Sequence, residues 1–324
     1  MLSASQQKFL TSLHVKKYRQ KYRKFIVEGD KLVCELLRQQ RIGVYALFGL
    51  DTWATQRADL LLPYQTKFTP VTEAELKKIS TLTTPNQVLA VAEMPAGIGL
   101  AEDASSMISP ITSPSISYPT PNPSPSGEGG GYELGSAPLP GGGGVGGGVN
   151  RGVGAGLNQS EGFNTESNQK TGTIPASPLK SLYLDGIQDP GNMGTILRIA
   201  DWFGLSPVYC SPDCVDPYSP KVVQAGMGAV LRVVVEEAPL EEVLARHEGW
   251  PVLGADMAGE DVFKAPLPER GLLIIGNEGR GLSAAAAARL SRRVSIPRPP
   301  GGAAESLNAA VATGILAAVW TSGQ

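Results

Sequence analysis

Histidine and cysteine are scarce in this 324-residue chain, and their scarcity closes off several chemistries. His14 and His247 are the two histidines, and neither lies in a motif with serine, cysteine or aspartate. There is no HExxH pattern and no paired-carboxylate motif, so hydrolytic chemistry has little to stand on. The three cysteines are Cys34, Cys210 and Cys214. Cys210 and Cys214 are spaced like half a metal site, but no second Cys/His pair follows to complete a tetrahedral shell. They read as ordinary reduced thiols. Net charge is lacking too: at −2 the molecule is no polycation, and nucleic-acid affinity would have to come from local charge. No stretch approaches the roughly 20 apolar residues that span a bilayer. The N-terminus is polar, then basic, without a signal-peptide core. A soluble, cytoplasmic protein is expected.

Local charge is present near the start. Residues 8–24, KFLTSLHVKKYRQKYRK, hold seven lysines and arginines and no acid. His14, Tyr18 and Tyr22 recur every four positions, so one continuous helix would stack rings along a basic rod. Lys16, Lys17, Tyr18, Arg19, Lys21 and Arg23 then read as an RNA-contact surface, with cations for phosphates and rings for bases. The plainer reading is a solvated basic helix with its aromatics packed on the domain.

A small α/β unit over residues 1–95 follows from Phe25–Gly29 as strand and turn, Asp30–Gln40 as an amphipathic helix, and Val44–Leu50 as a strand. Thr72–Ile79 reads as a helix opened by a Thr72/Glu75 capping box, and Val88–Glu93 as a last strand. Residues 96–178 differ in kind. This segment holds 19 glycines and 10 prolines, about a third of its length, and reads as a disordered Gly/Pro/Ser-rich linker.

Residues 179–324 return to short apolar runs, at 182–187, 207–210, 231–235, 252–255, 272–275 and 294–296. Helical stretches separate them at 192–203, 220–230, 240–247, 283–290 and 305–320. That alternation predicts a mostly parallel sheet covered on both faces, with ligands at the carboxyl ends of its strands. Three loops there draw notice. DPGNMGTILRIA (189–200) is a strand-to-helix turn, capped by Asp189 or Asn192, with Gly191 and Gly194 permitting close approach to the backbone and Arg198 one to two turns in. GNEGRGLS (276–283) lacks the lysine of a P-loop, since Leu282 follows Gly281, and it fails the dinucleotide fingerprint. It is a tight turn carrying Glu278 and Arg280, open either to a ligand or to a plain role as a glycine-rich start of a helix. In the last loop, Glu305–Asn308 opens a mostly alanine helix suited to a buried or interface position. Ser306 and Asn308 there can cap the helix or hold a ligand.

Taken in order, DPGNMGTILRIA, GNEGRGLS and IP…ESLNAAVA (296–312) resemble the SpoU/TrmH family of RNA ribose 2′-O-methyltransferases, within the SPOUT superfamily. SLHVKKYRQKYRKFIVEGDKLVCELL (12–37) resembles that family's N-terminal substrate-binding domain. The resemblance implies a C-terminal trefoil-knotted parallel-sheet domain, a homodimer formed through it, and S-adenosyl-L-methionine as cofactor. It implies cofactor contacts from Gly254, Gly276, Ile296, Ser306 and Leu307, and catalytic roles for Asn192, Arg198, Glu278, Ser306 and Asn308. The family's usual methionine after Ile-Pro is replaced by Arg298, and Pro299–Gly302 lengthen that loop, so its contacts do not carry over. The implied reaction is methylation of a ribose 2′-hydroxyl in structured RNA, with 23S ribosomal RNA favoured over tRNA. A non-catalytic RNA-binding protein of the same fold is the alternative.

Overall fold

Two runs of β-branched and aliphatic residues organise the chain into two sheets. The computed structural model describes residues 2–84, 86–95, 179–299, 301 and 304–322. The linker expected at 96–178 lies outside the described residues.

The N-terminal part runs α1 (Ala4–Ser12), α2 (Lys16–Tyr22), β1 (Lys24–Glu28), α3 (Asp30–Gln39), β2 (Val44–Gly49), α4 (Asp51–Gln56), α5 (Ala58–Leu61), a 3₁₀ turn, β3 (Phe68–Pro70), α6 (Glu73–Ile79) and β4 (Val88–Glu93). Its sheet has the order β1-β4-β2-β3, antiparallel except for β2 beside β3. Both faces are apolar. Leu10, Leu13, Ile26, Phe48, Leu76 and Ile79 form the core on one side. Phe25, Val27, Leu36, Leu47 and Trp53 join a larger cluster on the other. The expected capping box opens α6, where the Thr72 side chain accepts from the Glu75 N–H and Glu75 reaches back to Thr72.

The single basic rod expected over 8–24 is instead two helices. Leu13 turns fully into the core, and Val15 before α2 is extended (φ −106°, ψ 130°), which breaks the helical path. His14 therefore leaves the tyrosine stripe and its Nε2 sits 3.2 Å from the Ile79 carbonyl.

The C-terminal part runs β5 (Lys180–Asp185), α7 (Pro190–Phe203), β6 (Val208–Cys210), α8 (Pro220–Ala225), a 3₁₀ turn, β7 (Val235–Glu237), α9 (Leu240–Arg246), β8 (Val252–Asp261), β9 (Gly271–Gly276), α10 (Ala284–Ala288), β10 (Arg292–Ser295) and α11 (Ala309–Ser322). Its six strands take the order β10-β8-β9-β5-β6-β7, all pairings parallel. The helix expected over 220–230 is cut at Gly226 and Gly228, the latter in the left-handed region (φ 75°). The run 231–235 gives a strand only from Val235.

Continuous apolar strands mark a sheet buried on both sides. Leu182, Leu184, Leu273 and Ile275 face α7 and α11, which supply Met193, Ile196, Leu197, Leu316 and Trp320. Tyr183, Tyr209, Leu272 and Ile274 face α9 and α10. Asp185 stands in register with Gly276, so the loops leaving β5 and β9 emerge side by side. From β5 the chain winds outward to β6 and β7, and from β9 it winds the other way to β10. Such a reversal is where open α/β sheets place their ligands.

The two sheets share one apolar cluster, which holds Phe25 and Leu36 together with Tyr218 and Val222. The Phe25 and Tyr218 rings lie 4.9 Å apart, and Gln224 Nε2 donates to the Glu28 carbonyl at 2.9 Å. Arg232 reaches both Asp201 and Glu35.

Candidate active site

Asp189 sits before α7 in extended backbone, and its Oδ1 accepts the Asn192 N–H at 2.8 Å. That caps the helix from outside and leaves the Asn192 side chain free to point into the loops. Its Nδ2 donates to Glu278 Oε1 at 2.6 Å, and its Oδ1 accepts from Asn308 Nδ2 at 2.8 Å. One residue from each of the three sequence motifs thus joins a single hydrogen-bonded chain.

Each partner is held by its own local structure. Glu278 rides on a turn closed by two backbone hydrogen bonds between Asn277 and Gly281, of 3.0 and 2.9 Å. The turn needs glycine at its base, because a Cβ on Gly276 would lie 2.4 Å from the Gly281 carbonyl carbon. Asn308 is the cap of α11, its Oδ1 accepting from the N–H groups of Ala310 and Val311 at 3.0 and 3.2 Å. The helix expected from Glu305 accordingly begins only at Ala309. Ser306 is exposed and makes no hydrogen bond among the described residues, so it is not the cap.

Arg198 lies on α7, six residues beyond Asn192 and so roughly 9 Å along the axis. It is exposed and has no ion-pair or hydrogen-bond partner among the described residues. An exposed guanidinium without a carboxylate partner, on the same helix as Asn192, is free to meet an anion. Gly194 is not a point of ligand approach: a Cβ there would stand 2.5 Å from the Gly226 nitrogen, so it lets α8 pack against α7. Gly254 is buried on β8, where its missing Cβ makes room for Leu290 and for Leu282 of the loop after β9. Ile296 is partly buried against the main core, while Leu307 next to Asn308 is 46% exposed.

Three contributors were not singled out from the sequence. Asn277 Nδ2 donates to the Gly186 carbonyl at 2.7 Å, and its Oδ1 accepts from the N–H groups of Gly279 and Arg280. Asp185 accepts the Ser283 N–H at 2.7 Å, which ties the β9 loop to the end of β5. Asparagine opening a Gly-rich turn is a readable signal for such a clasp, whereas the Asp185–Ser283 pair depends on strand register. Beneath the loop, Cys210 and Cys214 are free thiols. A hydrogen bond with Cys214, together with burial, pushes the Cys210 thiol well above its ordinary range. No group of His, Cys, Asp or Glu able to hold a metal occurs among the described residues.

The expected RNA surface on α2 is sorted by the structure. Lys17 and Lys21 are exposed, as are Tyr18 and Tyr22. Lys16 is engaged, its Nζ 2.8 Å from Glu237 Oε2, and Arg23 closes α2 in the left-handed region with its guanidinium on the Pro95 carbonyl. Arg19 is a correction. It is 3% exposed, donates to Asp216 Oδ2 at 2.7 Å and to the Leu13 carbonyl, and is therefore an internal tie rather than an RNA contact.

Comparison with known proteins gives the same outline. Residues 180–318 match the SpoU rRNA Methylase family, and residues 5–90 match the MRM3-like substrate binding domain. The 23S rRNA (guanosine-2′-O-)-methyltransferase RlmB of Pseudomonas putida is 30% identical over 175 residues, covering 52% of this chain and 68% of that protein. The 23S rRNA (guanosine(2553)-2′-O)-methyltransferase RlmP of Bacillus subtilis is 35% identical over 144 residues, 44% of this chain and 57% of its own. The chain spans about half the length of the curated relatives first matched, 50% of a Synechocystis tRNA/rRNA methyltransferase and 57% of the Bacillus protein. A TrmH-family structure from Porphyromonas gingivalis superposes with a TM-score of 0.66 at 34% identity, covering 99% of this chain and 98% of that one. AviRb from Streptomyces viridochromogenes, a SpoU methyltransferase solved with AdoMet, gives a TM-score of 0.66 over 99% of this chain and 100% of its own; at 21% identity it speaks to the fold alone. With matched segments on both sheets and a relative covered over two thirds of its length, the chain belongs to the SpoU/TrmH family of RNA methyltransferases.

Proposed function

We propose that this protein methylates a ribose 2′-hydroxyl in structured RNA, using S-adenosylmethionine, with 23S ribosomal RNA favoured over tRNA. The observation that carries the reading is the Asn308–Asn192–Glu278 chain, with links of 2.8 and 2.6 Å, which fastens three separate loops at one mouth of the sheet. The ribosomal preference draws on the relatives named as 23S rRNA methyltransferases. The residues suit the cofactor: Gly281 has nothing within 4 Å of where a Cβ would stand, and Leu307 leaves apolar surface exposed beside Asn308. Gly276, Ile296 and Leu307, with Gly254 beneath, would hold it, and when bound it supplies an electrophilic methyl group.

The chain's own residues do the rest. Asn192 and Glu278 orient the ribose, Glu278 keeping Oε2 to accept a hydrogen bond from the sugar. Arg198 brings a guanidinium, whose role is to stabilise the alkoxide that develops as the hydroxyl loses its proton to water, and to grip the adjoining phosphate. We also propose that α11 returns to α7 through the trefoil knot that the family resemblance implies. Exposed Trp202 on α7 and Val311 on α11, 76% and 51% accessible, support a homodimer through these helices.

Arg198→Ala tests the assignment. It is expected to lower methylation of ribosomal RNA roughly 10²–10³-fold, while S-adenosylmethionine binding measured by calorimetry stays unchanged. Near-normal methylation by this variant would remove Arg198 from the mechanism. A wild-type chain that binds RNA but no S-adenosylmethionine would replace the enzyme reading with the binding-only one. Ribose-methylation profiling of ribosomal RNA and tRNA from a deletion strain identifies the target.

A further inference from the structure

The break between α1 and α2 assembles something the continuous rod would not have made. Tyr18 and Tyr22 lie near-parallel on α2, their ring centroids 6.2 Å apart at 15°. Phe9 of α1 meets the edge of Tyr22 at 5.3 Å and also packs on Tyr45 of β2 at 5.9 Å. Lys24 Nζ sits 4.3 Å from the Tyr45 ring centre, and Lys21 Nζ 5.6 Å from that of Tyr22. Phe9 is the partly buried floor of this group. The three tyrosines stay accessible at 37%, 38% and 49% for Tyr18, Tyr22 and Tyr45, and no hydroxyl among them has a hydrogen-bond partner among the described residues. A tyrosine retained for core packing buries its ring and finds its hydroxyl a partner; these do neither.

The charge around them is mostly positive. No acidic residue occurs between Lys8 and Val27, and Lys17 and Lys21 are exposed on the same helix. Glu93, across the strand from Lys24, and Glu237, paired with Lys16, are nearby acids. On its inner side α2 is tied by the buried Arg19–Asp216 pair to the loop after β6. Exposed rings among cations suit bases whose flat faces are free. A paired A-form helix offers phosphates and minor-groove hydroxyls but keeps its base faces stacked inside.

We propose that Tyr22 and Tyr45, flanked by Tyr18, Lys21 and Lys24, form a stacking site for unpaired nucleotides of the RNA substrate. The site deepens the RNA-methyltransferase reading and rests on it only in taking RNA as the substrate.

The test uses the full chain and a short fluorescent RNA of mixed sequence, single-stranded or annealed to its complement. The wild type is expected to bind the single strand more tightly. Y22L/Y45L should weaken single-strand binding by roughly five- to a hundredfold, leave duplex binding and the salt slope nearly unchanged, and melt like the wild type. Y22F/Y45F, which keeps the rings, should bind as the wild type does. The proposal is overturned if the leucine variant holds the single strand normally, or loses single strand and duplex equally, as a merely electrostatic or structural patch would. S-adenosylmethionine affinity on the same samples separates the two readings. If the wild type binds the cofactor and methylates RNA while the leucine variant keeps its RNA, only the stacking site fails. If the wild type binds no cofactor, the enzyme reading fails whatever the tyrosines do.

Discussion

Asn192 stands between two partners of opposite hydrogen-bonding character. It accepts from the Asn308 amide through Oδ1 and donates to Glu278 through Nδ2, at 2.8 and 2.6 Å. Only a side chain with one acceptor and one donor end fits both. Asn192→Asp keeps the shape and the Asn308 bond but sets a carboxylate against Glu278, and two carboxylates that close cannot both ionise cheaply. One of the pair then has its folded pKa raised above the unfolded value. The variant's deficit should be small near pH 4 and grow as pH rises through that raised pKa. Thermal melts of both proteins at pH 5 and pH 8 check this; a deficit independent of pH would mean the carboxylates do not meet. Of these residues, Asn192, Glu278 and Asn308 were legible because each opens or closes a turn in a recognisable motif. Ser306 was open to capping the helix or holding a ligand, since two hydroxyl- or amide-bearing residues beside one helix start cannot be told apart without knowing which residue begins the helix; the cap is Asn308. Arg19 was misread for a related reason: a burial partner nearly two hundred positions away leaves no mark in a basic run.

Between elements, the packing of α7 on α8 depends on one absent methyl group. A Cβ at Gly194 would stand 2.5 Å from the Gly226 nitrogen and 2.7 Å from the Ala225 Cβ, backbone and first side-chain atoms that cannot swing aside. Alanine would gain up to about 1 kcal/mol of helix propensity, but forcing apart a packed interface costs about 1–3 kcal/mol. Gly194→Ala is therefore expected to be a net loss of about 1 kcal/mol, read from urea denaturation. A stabilised variant would show that α8 can move away at little cost. The sequence announced the elements with long apolar or alternating runs, such as β5 and β9, close to where they lie. The three-residue β3 and the short α4 and α5 were unread, because so few residues carry no period to detect. The split of the basic rod was missed because its cause, Leu13 turning into the core, is tertiary.

At the scale of the whole molecule, two ion pairs join α2 to the C-terminal part, one to β7 and one to the loop after β6, and they differ in what surrounds them. Lys16–Glu237 is open to water, with side chains 37% and 38% exposed, while Arg19–Asp216 is closed off at 3% and 8%. An exposed pair is worth under about 1 kcal/mol. Removing one member of a buried pair strands the other charge at a cost of about 3–5 kcal/mol. Arg19→Met should thus be far more destabilising than Lys16→Met, because Asp216 would keep only the Tyr218 N–H, 2.9 Å from its Oδ1. Adding Asp216→Asn should recover most of the loss, since the neutral amide retains its carbonyl for Tyr218 and no longer needs a counter-ion. Urea unfolding of the four proteins measures each term and the coupling between the two sites. Equal effects of Arg19→Met and Lys16→Met would mean that water reaches Asp216, and that α2, with Tyr18 and Tyr22, is not locked to the C-terminal part whose α7 carries Asn192 and Arg198.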